Sequence, residues 1–135
     1  LDHWAAFGAS FERLTELFRR VGAGRYGEPP ATIVTLTGDV HHCELFRIVF
    51  APSAGVISGV YEAVCSPLRN PLGTAERLAL RLAASGAIGR LVRALAASAG
   101  VPEPTIRWDG LAGPWFDNQI AALELRGRSA VVRYE

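Results

Sequence analysis

The sequence has no methionine and no lysine. Its 14 cationic residues are all arginines, set against 13 acidic ones, and the net charge is +1. That balance excludes the strong basic field by which a domain holds nucleic acid on charge alone. No apolar run approaches the ~20 residues of a membrane helix. No charged n-region followed by an apolar h-region opens the chain, so no signal peptide is visible. A chain without Met that begins Leu1-Asp2-His3-Trp4 is expected to be a piece of a longer one. An export signal could then lie upstream; without one, the cytoplasm is the default compartment. There are only two cysteines, Cys43 and Cys65. Free buried thiols are the default for such a pair, and a bridge or a ligand role stays open. Internal repeats and low-complexity segments are also missing.

What remains is 135 residues, half of them apolar, enough for one core and too few for two. We treat 1–135 as a single domain or domain fragment. Trp4, Phe7, Phe11, Leu14, Phe18 and Val21 recur at three- and four-residue steps. This predicts a helix over about 2–21, stopped by Gly22 and Gly24. Its aromatic stripe is read as a core face, with a partner groove as the alternative. Ala31–Thr37 is β-branched and nearly continuous, which predicts a strand buried on both faces. Cys43–Phe50 alternates and reads as a second strand, Val56–Cys65 as a third. Thr74 can cap a helical stretch to about Ala99, interrupted near Gly86 and Gly89. Its Arg77, Arg81, Arg90 and Arg93 are read as a solvated basic face; lying on a membrane surface is the weaker alternative. Thr105–Trp108 reads as a short strand. Asn118–Leu125 and Ser129–Tyr134 flank Arg-Gly-Arg as a hairpin.

Chemistry points to one place. Two of the three histidines, His41 and His42, are adjacent, and Asp39 is one of only four aspartates. They follow Gly38 at the end of a predicted strand, where sheet proteins present functional side chains. In extended chain, residues i and i+2 point the same way, so Asp39 and His41 can face one site. A carboxylate and an imidazole together suit a divalent metal, or one ligand for each of two metals. Asp39 as a turn cap beside an ordinary loop histidine is the plain alternative. Arg69 and Asn70, in a Pro-bounded loop, can contact phosphate, or be a surface arginine and a turn asparagine. Asn118, after Trp115-Phe116, is read as packing. Cys43 is not taken as a ligand, and Tyr61 and Ser66 are undecided.

Thr37-Gly38-Asp39-Val40-His41-His42, leaving a Thr-Ile-Val-Thr-Leu strand, resembles the last metal motif of PhoD-like phosphatases. These are the alkaline phosphatase D branch of the calcineurin-like metallophosphoesterases. Val60–Leu72 and Gly113–Gln119 resemble further segments of a bacterial subgroup. The resemblance implies an α+β fold, specifically the C-terminal half of a four-layer αββα metallophosphoesterase sandwich. It implies a phosphoric ester hydrolase, acting on mono- or diesters with two divalent or trivalent ions (Fe, Mn, Ca or Zn). Asp39 and His41 would be metal ligands and so catalytic. His42, Arg69 and Asn70 would be substrate contacts, although His42 is equally readable as orienting a ligand or as purely structural.

The family's earlier metal motifs are not present. Two metals need about eight or more ligands, and one Asp with one His is a fraction of that. The chain is therefore expected to require the N-terminal half of the same protein and to have little activity alone. The expected partners are a phosphate ester and that missing half, with no nucleic acid and no membrane span. A module that kept the fold and lost the chemistry is the competing reading. A half-sandwich would also expose apolar surface, so self-association of the isolated chain is expected.

Overall fold

The computed structural model describes residues 8–38, 41–66, 73–83, 86–101 and 105–135. Its elements are α1 (Gly8–Gly22), β1 (Thr32–Thr37), β2 (Cys43–Phe50), β3 (Gly59–Val64), α2 (Thr74–Ala83), α3 (Gly86–Ser98), β4 (Ile106–Trp115), β5 (Ala121–Arg126) and β6 (Ser129–Tyr134). The described residues are thus α+β, as expected. Four strands form a mixed sheet in the order β1-β3-β2-β4, and β5-β6 is a separate hairpin. Among the described residues, no helix is long and apolar enough to cross a membrane.

The helical face read from the sequence is a core face. Phe11 and Phe18 pack on the buried cluster of Ile48, Val60 and Ile106, with Ile33, Phe50 and Val56 around it. Phe11 also stacks on Trp108, ring centroids 5.8 Å apart. Trp4 and Phe7, the first steps of that face, lie outside the described residues. On the outer side, Glu16 accepts hydrogen bonds from Arg19 and Arg20, which hold its carboxyl down at about 2.

The end of α1 is built by backbone chemistry. Gly24 takes φ +71°. Arg25 N–H donates to Arg20 O at 2.9 Å and Gly24 N–H to Val21 O at 3.1 Å, a Schellman closure that satisfies the last carbonyls. The Gly22 carbonyl is taken by the N–H groups of Ile57 and Ser58, at 3.0 and 3.3 Å. This corrects the third strand's start. Ile57 and Ser58 serve the helix end, and ladder pairing begins at Gly59.

The strand order overturns another expectation. β1 pairs with β3 alone and is an edge, with Leu36 66 % exposed. A β-branched run fits a pleated strand at an edge as well as in the interior, so composition did not distinguish the two. β3, with Val60, Ala63 and Val64 buried, is the central strand instead. β4 is also longer than the expected Thr105–Trp108. It runs on through Gly110, Gly113 and Pro114, and the pairing with β2 absorbs irregularities between Cys43 and Phe46. There Gly113, at φ +94°, is required: a Cβ would stand 2.7 Å from Cys43 O.

The stretch at 74–99 carries α2 and α3, with residues 84 and 85 outside the described residues; Gly89, an expected interruption, lies within α3. The basic face divides. Arg90 and Arg93 are exposed, whereas Arg77 and Arg81 lie over the Phe116 ring at 6.0 and 5.4 Å. Leu78, Leu82, Leu91 and Leu95 on these helices are exposed.

Ile48 is 6 % exposed in the core and Ile57 is 77 % exposed. Ile48→Ala should cost about 2–5 kcal/mol through lost burial and a cavity, and Ile57→Ala within about 0.5 kcal/mol. Urea unfolding midpoints of the two variants, at unchanged slope, are the check.

Candidate functional site

β1 and β3 are parallel, while β2 is antiparallel to both β3 and β4. β1, β3 and β4 therefore finish at the same end of the sheet. β1 and β2 follow each other in the chain, but β3 lies between them. The joint from Thr37 to Cys43 therefore spans the carboxyl end of β3, with residues 39 and 40 outside the described residues. Cys65 and Ser66 leave β3 there, and Phe116 to Gln119 leave β4 there. Carboxyl ends of strands are where sheet proteins gather ligand sites.

His41 sits in this crossing with φ +58°, a left-handed backbone that costs a non-glycine residue about 1–3 kcal/mol. Asp39, the expected partner of His41, lies outside the described residues, and extended chain does not hold at His41 itself. The reason is the crossing itself, which reverses the chain within a few residues. The His41 Nδ1 atom is buried and has no hydrogen-bond partner among the described residues. Such a group costs about 1–3 kcal/mol if it stays unsatisfied, and it is a candidate donor to an ion or substrate.

His42 is differently placed. Its Nε2 lies 3.3 Å from Glu44 Oε2, both side chains mostly buried, a donor–acceptor pair when Nε2 carries the proton. Its ring is 6.1 Å from that of Phe116, which is 3 % exposed. A carboxylate behind an imidazole fixes the ring's orientation. Glu44 was missed in the sequence, although the i, i+2 rule applied to His42 at the start of β2 would have found it.

The two cysteines are free. Cys43 is fully buried, and burial first, then the Cys65 side chain, pushes its thiol up to about 11. Neighbouring it, Tyr134 donates its hydroxyl to Glu44 O at 3.0 Å and stacks at a tilt on Trp115 at 5.3 Å. Burial, with smaller contributions from Cys43, Cys65 and Glu44, pushes the Tyr134 phenol up to about 12. These contacts fasten the β5-β6 hairpin to the start of β2.

Of the sequence-derived site residues, the structure brings His41 and His42 to this edge. Asp39, Arg69 and Asn70 lie outside the described residues. Asn118 is exposed rather than packed, and β5 begins only at Ala121. Gln119 was also missed: its Oε1 is buried without a partner among the described residues, and its carbonyl lies 3.6 Å from Cys65 Sγ. Nothing in its local sequence distinguishes it from a turn residue. Among the described residues, no three His, Cys, Asp or Glu side chains come together as a metal-binding group. A concavity of about 510 Å³ lies along the outer side of α1, lined by Glu12, Arg13, Glu16, Arg20 and Tyr26, and contains none of the predicted site residues.

Tyr134 gives a test of this edge. The folded chain keeps the phenolic proton that the unfolded chain releases near pH 10. Its contribution to stability is therefore complete below about pH 10 and is lost as the pH rises through about 12. Tyr134→Phe should remove that alkaline dependence and cost about 1 kcal/mol at neutral pH for the lost hydrogen bond, read from unfolding midpoints across pH 8–12. Comparison with known proteins gives no match: no family model, no curated protein and no solved structure matches the chain.

Proposed function

We propose that this chain is part of a metal-dependent phosphoric ester hydrolase, contributing the Gly38-Asp39-Val40-His41 motif to a two-metal site. The reading begins from the resemblance of that motif, and of two later segments, to PhoD-like phosphatases. The observation that carries it is His41. A histidine in a strained left-handed backbone, with a buried ring nitrogen left unpartnered among the described residues, is poorly explained by packing alone. It is well explained as a ligand held ready. Asp39 would be the carboxylate ligand of the same motif.

Metal ions bound there would polarise the phosphoryl oxygens and activate water for in-line attack. The chain's own residues would hold and orient. His41 would present a neutral ring nitrogen. His42, with Glu44 behind it, can place a polar N–H at a substrate oxygen or hold a proton beside it. Arg69 and Asn70 would meet the phosphate from the loop after β3.

The missing ligands are assigned to the N-terminal half of the same protein, in a four-layer αββα sandwich. Incomplete cover on the sheet supports that assignment. Val34, Leu36, Leu45, Val49 and Tyr61 alternate onto the face opposite α1; Leu36 is exposed and the others only half-buried.

In the intact protein, His41→Ala should lower bound metal and hydrolysis of p-nitrophenyl phosphate esters by about a hundredfold or more, at the upper end of what disturbing a ligand's support costs. His41→Gly should lose both equally while holding or raising the unfolding midpoint, because glycine relieves the left-handed strain, worth about 1 kcal/mol. Unchanged metal content and turnover in both variants would move the chain to the class of non-catalytic modules that retain a fold.

A further inference from the structure

Cys43 opens β2 and Cys65 follows the last residue of β3. The antiparallel register pairs Glu44 with Val64 and Leu45 with Ala63. One step further along the same ladder sets Cys43 opposite Cys65. The two Sγ atoms are 3.5 Å apart. Directly opposed residues of an antiparallel pair have Cα atoms about 4.5–5.5 Å apart, inside the span a disulfide bridges. The sulfurs need to close by only about 1.5 Å to reach bonding distance, which a change of side-chain torsion supplies. Cys65 N–H is also held by Thr37 O at 3.0 Å, so the backbone on the β3 side is fixed on its other edge. The pair differs in access: Cys43 is fully buried and Cys65 partly exposed.

We propose that Cys43 and Cys65 form a reversible intramolecular disulfide, a two-electron modification site at the foot of the His41–His42 crossing. A low-molecular-weight disulfide is the oxidant. Cys65, having lost its proton, attacks one sulfur of the oxidant; that S–S bond breaks and one thiolate leaves and takes up a proton. Cys43 Sγ then attacks the Cys65 sulfur of the mixed disulfide, giving up its own proton to the second departing thiolate. Two protein thiols are oxidised and one small disulfide is reduced to two thiols. Partial exposure makes Cys65 the sulfur that meets the oxidant, and burial makes Cys43 the one that resolves it. The bridge would tie the exit of residues 38–42 to the end of β3, across two strands that already face each other. This inference rests on strand register and sulfur geometry and is independent of the proposed hydrolase activity.

The test is titration of the intact protein with glutathione at graded reduced-to-oxidised ratios, without denaturant. Intact mass and peptide mapping follow, after iodoacetamide trapping. The expected result is a monomer that loses the mass of two hydrogens, takes up no iodoacetamide, yields one linked Cys43–Cys65 peptide, and regains both thiols in dithiothreitol. Its urea midpoint should rise on oxidation and return on reduction. Cys43→Ala should instead stop at a glutathione adduct on Cys65, and Cys65→Ala should leave Cys43 unmodified. Far-UV circular dichroism establishes that each variant is folded. The wild-type titration needs neither variant, so a misfolded mutant does not spare the idea. Two thiols that persist at every ratio, a bridge that forms only in urea, or disulfide-linked dimers in place of the internal bridge would each overturn it.

Discussion

The insertion of β3 between β1 and β2 is the constraint on which this structure turns. β1 and β2 are consecutive in the chain yet never pair, so the segment joining them has to pass over the end of the strand that separates them. Everything notable at that edge follows. The left-handed backbone of His41 lets the chain reverse. Cys43 starts β2 opposite Cys65, the residue that follows β3. The carbonyl of Thr37, at the end of β1, is held by Cys65 N–H, so the crossing is pinned at its entry. A strained backbone and an unsatisfied ring nitrogen each cost about 1–3 kcal/mol, a large share of a small domain's net stability. Such costs persist where the surroundings over-determine them, and here the ladders on both sides of β3 do so.

A second constraint is the unequal cover of the sheet. Val60 and Ile48 lie on one face beneath Phe11 and Phe18 of α1. Further along that face, Glu62 accepts from Trp108 Nε1 at 2.7 Å and from Thr37 Oγ1 at 3.3 Å. A carboxylate in the central strand thus links the two edge strands, and Trp108 in turn carries Phe11. The opposite face has apolar side chains at alternate positions and much less over them. A sheet with one solvated face should alternate apolar with polar. This one does so only in part, as at Arg47, the exposed residue of β2. The leucines of α2 and α3 add further exposed apolar surface.

What could be read from the sequence were the local periodicities. The three- and four-residue steps through Phe11, Leu14 and Phe18 placed the helix and its buried side. Alternation placed β2, and Arg126-Gly127-Arg128 placed the turn of the hairpin. What could not be read depends on who lies beside whom. The Thr32–Thr37 run carries the same β-branched residues at an edge as it would inside a sheet. Ile57 and Ser58 look like strand but spend their N–H groups on the end of α1. The short strand read at Thr105–Trp108 is only the start of β4, which continues through Gly110, Gly113 and Pro114 because a glycine lets its backbone lie against Cys43. At the site, the cluster of His41 and His42 was visible, but its geometry was not. Spacing offered Asp39 and His41 as a pair on extended chain; His41 takes a left-handed backbone, and Asp39 lies outside the described residues.

That bend also separates the roles of two adjacent histidines. Identical side chains one residue apart would ordinarily be interchangeable candidates for any ligand. Here the left-handed turn at His41 ends before β2 begins, so only His42 obeys the strand's alternation and reaches Glu44, its i+2 neighbour. The carboxylate commits one nitrogen of His42 and leaves that residue suited to moving or positioning a proton. His41, held out of the pleat, keeps a buried nitrogen without such a commitment among the described residues. A ligand nitrogen has to be unprotonated and unclaimed when the ion arrives. Of the two, His41 has the unclaimed nitrogen among the described residues, and its left-handed backbone persists despite the strain because the ladders on both sides of β3 hold the chain around it.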